Sequence, residues 1–95
     1  GAPTVRISPS ALSSEPGTSV TLSCDVSGAR PVKLFWGRKD GQPLPPRAHV
    51  RSGTKDSLLV IDPLEDADAA TYVCTAVNPL GTGDQQAVLD VKTTK

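Results

Sequence analysis

Apolar and polar residues alternate in short runs along this chain, and no helical spacing is sustained anywhere. Val20, Leu22, Cys24 and Val26 put every second side chain on one face over eight residues, the strongest strand pattern present. Val5 and Ile7 do the same in Thr4–Ser8, which Pro9 ends. Proline inside a run confines it to a sheet edge, which suits a first strand that switches sheets. Val32, Leu34 and Trp36 face inward on the next strand and leave Phe35 outward. Val50 marks a short strand, and Leu59 and Ile61 face inward on the one after it. Tyr72, Cys74 and Ala76 then face in, with Val73, Thr75 and Val77 out, and Ala87, Leu89 and Val91 line the last strand, which turns Val88 outward. The turns are marked by Glu15-Pro16-Gly17, Ser27–Pro31, Asp40-Gly41 and a hairpin loop over 78–84 that holds Pro79, Gly81 and Gly83. Pro43-Leu44-Pro45-Pro46 is a stiff connector that cannot join a central ladder. The pattern predicts an all-β domain with Leu64 plugging one end of its core.

Twelve positions separate Cys24 from the single Trp36, and 50 separate Cys24 from Cys74. Tyr72 lies two residues before the second Cys, within Asp68-Ala69-Ala70-Thr71-Tyr72-Val73-Cys74. This Cys…Trp…Cys frame resembles the immunoglobulin superfamily. The resemblance implies an immunoglobulin-like β-sandwich of two antiparallel sheets. It also implies one inter-sheet disulfide, Cys24–Cys74, with the Trp36 indole against it and the Tyr72 hydroxyl closing a corner on upstream backbone.

Only one short extra strand fits between the Cys residues, so the module is similar to the I-set rather than the variable type. Leu59-x-Ile61, Leu64, Asp68-x-Ala70-x-Tyr72-x-Cys74-x-Ala76-x-Asn78-x-x-Gly81 and Leu89-x-Val91 carry that resemblance. Ala70 departs from it, because the family usually has Gly there; a Cβ is tolerated if φ stays negative. Val5–Pro9, 36–45 and 76–82 resemble the tandem Ig modules of basement-membrane heparan sulfate proteoglycans of the perlecan type. That likeness implies a non-catalytic extracellular module in a matrix or basement-membrane array, a spacer that contacts neighbouring Ig modules or other extracellular proteins. The alternative is a recognition ectodomain module of an adhesion or guidance receptor.

Composition narrows this further. At 95 residues the chain suits one domain burying roughly 60–65% of its unfolded surface. Thirty-seven percent hydrophobic content with three aromatic residues is a lean core that a cross-link would help. Closing a 50-residue loop is worth about 4 kcal/mol in the chain-entropy model. The expected division is a tag or linker remnant at 1–3, the Ig-like domain at 4–92 and a linker stub at 93–95. No apolar run is long enough for membrane insertion. Asn78 is followed by proline and is not a glycosylation acceptor. The Ser-Gly pairs at 27 and 52 have almost no acidic flanks for glycosaminoglycan attachment.

Little of the chain points to chemistry. His49 has no evident catalytic partner, and Asp62, Glu65, Asp66 and Asp68 lack the spacing of a calcium loop, so neither metal nor cofactor is expected. Asp68 is expected to cap the corner turn or to pair with Arg47 or Arg51. Net charge is zero, yet residues 30–55 hold seven Lys and Arg against Asp40 alone, a net of +6. Residues 56–91 hold seven carboxylates and no Lys or Arg. Arg38, Lys39, Arg47 and Arg51 are the candidate polyanion contact, for weak binding of a sulfated polysaccharide. Neutral net charge and few aromatics argue against nucleic acid. Phe35, Val73, Val77 and Val88 form the candidate interaction face.

Overall fold

A computed structural model describes residues 1–93. Among the described residues, eight strands form two four-stranded sheets. They are β1 (Thr4–Ser8), β2 (Ala11–Ser14), β3 (Val20–Ser27), β4 (Lys33–Arg38), β5 (Ala48–Ser52), β6 (Asp56–Ile61), β7 (Ala70–Asn78) and β8 (Gly81–Val91). The first sheet has the order β1-β3-β6-β5 and the second β2-β8-β7-β4. A single 3-10 turn, Asp66–Asp68, carries the chain between β6 and β7.

Alternation dictates which side of each strand is dry. In β3, Val20, Leu22, Cys24 and Val26 are buried and the residues between them are not. Leu59 and Ile61 of β6 oppose Leu22 and Val20, and Tyr72 of β7 opposes Ala87 of β8. Leu64 seals the core below them. Burying Leu22, Leu59, Ile61, Leu64 and Leu89 stabilises the fold by about 2 kcal/mol each. A second cluster of Val5, Val26, Ala76 and the Cys24–Cys74 disulfide lies toward the other end, with Trp36 packed on both clusters.

The sheets are not wholly antiparallel. Strand β2, absent from the sequence pattern as a separate element, runs parallel to β8, pairing Ala11 with Val88 and Ser14 with Val91. After β1 the chain crosses to the other sheet without reversing, so β2 meets β8 in the same direction. Its signal is faint because only Leu12 and Ser14 alternate with exposed residues. The loop expected over 78–84 is also shorter. Asn78 pairs with Gly81, which leaves Pro79-Leu80 as the turn and gives Gly83 to the ladder. Gly83 is needed because a Cβ there would collide with the Pro3 carbonyl. Ala70 has no positive φ, so its Cβ is unstrained.

Pro3 is buried, and the Gly1 carbonyl accepts a hydrogen bond from Asn78. Of the expected linker stub at 93–95, residues 94 and 95 lie outside the described residues.

Candidate interaction surfaces

At the pole where β6 passes to β7, four side chains and the 3-10 turn make one network. Asp68 is buried, and its backbone carbonyl accepts a 2.6 Å hydrogen bond from the Tyr72 hydroxyl. One carboxylate oxygen accepts from Arg47 Nη2 at 2.6 Å, and the other accepts from the Glu65 backbone N–H at 2.8 Å. Asp68 therefore both caps the turn and pairs with Arg47; Arg51 takes no part. Arg47 Nε lies 3.1 Å from Glu65 but is not aligned for a hydrogen bond, so that contact is an ion pair only. Beside it Arg38 forks onto Asp40, at 3.1 Å and 2.8 Å, and donates to the Ala67 carbonyl. The Arg38 hydrogen bond, with a second from the Gln42 N–H, holds the Asp40 carboxyl below its ordinary pKa. The same bond to Asp40 raises Arg38. Burial raises the Tyr72 phenol above its usual value.

Trp36 is half-buried between the sheets and neighbours Cys74 on the next strand. Its indole N–H donates to Ser57 Oγ across the sandwich at 2.9 Å, and Ser57 Oγ lies 2.9 Å from Ser52 Oγ. The hydrophobic pattern did not reveal Ser57; the only cue was that a buried indole N–H needs an acceptor. Asn78 was named as part of the I-set resemblance, but its contacts were not foreseen. Its amide donates to the Gly1 and Ala29 carbonyls, and its oxygen accepts from the Leu80 N–H two residues on. The Asn-Pro turn was the available cue, because Asn side chains bond their own backbone in turns.

Phe35, Val73, Val77 and Val88 all lie on the outer face of the second sheet. Phe35 opposes Thr75, Val77 opposes Lys33, Val73 opposes Gln86, and Val88 opposes Thr71. Phe35 and Val88 are about half exposed, and Val73 and Val77 are partly covered. The four are diagonal neighbours interrupted by polar side chains rather than one unbroken patch.

The basic residues need a correction. Arg38 and Arg47 are neutralised by carboxylates at the corner. Lys39 bonds Gln86 on the outer face of the second sheet. Arg51 pairs with Leu58 on the outer face of the first, beside His49 and Val60. Folding therefore separates the strip, because two of its members turn to acidic partners and the others lie on opposite faces. Among the described residues, no group of three His, Cys, Asp or Glu side chains is placed to hold a metal ion, and no helix is long and apolar enough to cross a membrane.

The profile of the immunoglobulin I-set domain matches residues 3–91. The basement membrane-specific heparan sulfate proteoglycan core protein of Mus musculus is 36% identical over 85 residues, covering 90% of this chain and 2% of that protein. Hemicentin-2 of Mus musculus is 38% identical over 91 residues, covering 95% of this chain and again 2% of the relative. This chain thus spans a small fraction of these relatives' length. Among solved structures, the I-band fragment I67-I69 from titin superposes with a TM-score of 0.85 at 26% identity, covering 96% of this chain and 32% of that one.

Proposed function

The chain belongs to the immunoglobulin I-set domain family, and from that premise we propose that it is a non-catalytic extracellular module of a matrix or basement-membrane protein, working as a spacer and contact unit in a tandem array. The observation that supports this reading is where the chain enters and leaves. Gly1 lies at the pole formed by Ala29 and Asn78. Strand β8 then runs the length of the sandwich and ends beside Ser14, at the corner pole. Extents of 48 × 21 × 20 Å make the module a short rod threaded end to end. Such a shape transmits length and order along a string of modules. The Cys24–Cys74 disulfide supports an oxidising, extracellular setting. Similarity to a proteoglycan core protein and a hemicentin supports a matrix location. The outer face with Phe35, Val73, Val77 and Val88 is the surface offered to other extracellular proteins.

Small-angle X-ray scattering on fragments of one, two and three consecutive modules tests the spacer role. The expected maximum dimension grows by close to one 48 Å module length per added module. Compact multi-module particles would overturn it.

A further inference from the structure

The charge asymmetry of residues 30–55 becomes spatial in the fold. That segment builds β4, β5 and the connector between them, and β4 and β5 are the terminal strands of their sheets on the same side of the sandwich. The Lys39 N–H bonds the Thr71 carbonyl, and with the β4–β7 register this makes the odd-numbered residues of β4 the ones bonded to β7. The backbone N–H and C=O of Leu34 and Trp36, and the N–H of Arg38, therefore point out of the open edge. The connector does not cover Leu34 and Trp36. It lies at the corner pole, where Gln42–Arg47 line a cleft with Arg38, Glu65 and Asp68, so it borders only the Arg38 end of the edge and makes no backbone hydrogen bond to Leu34 or Trp36 among the described residues.

What flanks this edge is apolar between the sheets, with more cations than carboxylates around it, Asp56 being the acid that lies against Gly53 at the far end. Leu34 and Trp36 are half-buried. Val50 of β5 opposes the buried Leu59, so its side chain points between the sheets, yet it is 48% exposed. At the far end of β4 an open cleft of about 500 Å³ is lined by Arg30, Pro31, Val32, Gly53 and Thr54. Arg30, Lys33 and Lys55 make no ion pair among the described residues. The only carboxylate of the segment, Asp40, is already held by Arg38.

We propose that the open edge of β4 is a docking site for an extended acidic segment of a partner protein, which adds to the second sheet as a fifth strand. Backbone pairing to Leu34, Trp36 and Arg38 supplies the attachment. Alternate apolar side chains of the partner cover Leu34, Trp36 and Val50, and the carboxylates between them face outward beside Lys33 and toward Arg30 and Lys55 at the far end of β4. Charge decides the occupant: a second copy of this chain would bring the same cations to the joint, where like charges repel. The site stands apart from the spacer role and does not depend on it.

The test uses the 95-residue chain with a decapeptide alternating Val and Glu, its Val–Lys counterpart and a heparin fragment. Amide hydrogen exchange and Trp36 fluorescence are read. The Val–Glu peptide is expected to slow exchange at Leu34, Trp36 and Arg38 and to change the fluorescence, while the Val–Lys peptide does neither. Leu34→Pro blocks the edge without removing a β4–β7 hydrogen bond, because that N–H faces outward, and should abolish the protection. If it does not fold, Lys33→Glu with Lys55→Glu should weaken peptide binding at least tenfold. No protection at millimolar Val–Glu peptide would overturn the proposal. So would binding of heparin alone, which would make this a polysaccharide surface, or protection that appears on concentrating the chain by itself, which would make it a self-contact.

Discussion

Replacing Tyr72 by Phe removes one oxygen and keeps the ring. That oxygen is buried, and it donates a 2.6 Å hydrogen bond to the Asp68 carbonyl. The carbonyl belongs to a residue that is itself 2% exposed, so water cannot easily replace the lost donor. The cost is that of leaving a buried acceptor unsatisfied, about 1–3 kcal/mol. The upper half of that range is expected, because the Asp68 carboxylate also anchors Arg47 and the Glu65 N–H, and any shift of the turn loosens both. Domains of this size are stable by only about 5–15 kcal/mol. Urea denaturation followed by Trp36 fluorescence should show a lower midpoint at unchanged slope, and the melting temperature should fall by roughly 4–8 °C per kcal/mol lost. A loss below about 0.5 kcal/mol, within the range of an ordinary surface substitution, would refute the reasoning: the hydroxyl would then not be holding the corner.

Non-reducing and reducing mass spectra should differ by two hydrogens, and reduction should cost up to about 4 kcal/mol through the 50-residue loop; two free thiols in air-oxidised protein would contradict the extracellular setting. Tyr72 is the only tyrosine, so absorbance of tyrosinate reports it alone. Its folded pKa is raised by burial, so the stability it contributes is complete below the unfolded value near 10 and is lost as pH rises through the folded value. The titration midpoint should lie above 10 and coincide with unfolding; a reversible midpoint at the ordinary value in folded protein would place the phenol in water. Arg47→Ala leaves the Asp68 carboxylate buried without its cation and should cost about 3 kcal/mol, whereas Arg51→Ala should change stability by less than about 0.5 kcal/mol; equal effects would deny the pairing. Because Arg38 and Arg47 are already paired, the chain should elute from a heparin column below the salt of physiological buffer, about 0.15 M, and retention well above it would restore a contiguous basic strip.

The two-residue alternation and the proline and glycine punctuation were enough to specify an all-β domain and its inward residues, and the resemblance carried by the Cys-Trp-Cys frame implied the sandwich and its cross-link. These signals are local, or depend on a few residues at fixed separations, and burial on one face writes them directly into the order of residues. Asp68, Tyr72 and Leu64 were legible for the same reason, since the corner is built within ten residues. What depends on strands far apart in sequence was not. Strand β2 exists because β8 is there to pair with it, not because Ala11–Ser14 has a strong pattern. The choice of Arg47 over Arg51 for Asp68 was made by the position of the connector, which delivers the first to the corner pole while β5 turns the second to the outer face. The basic strip failed because adjacency in sequence says nothing about which sheet face a side chain meets, and strand alternation sends neighbours to opposite sides. The partners of Trp36 and Asn78, Ser57 across the sandwich and the Gly1 and Ala29 carbonyls at the entry pole, were likewise set only when the two sheets closed. The open edge of β4 is a property of strand order, which long-range pairing decides and no single stretch of the chain records.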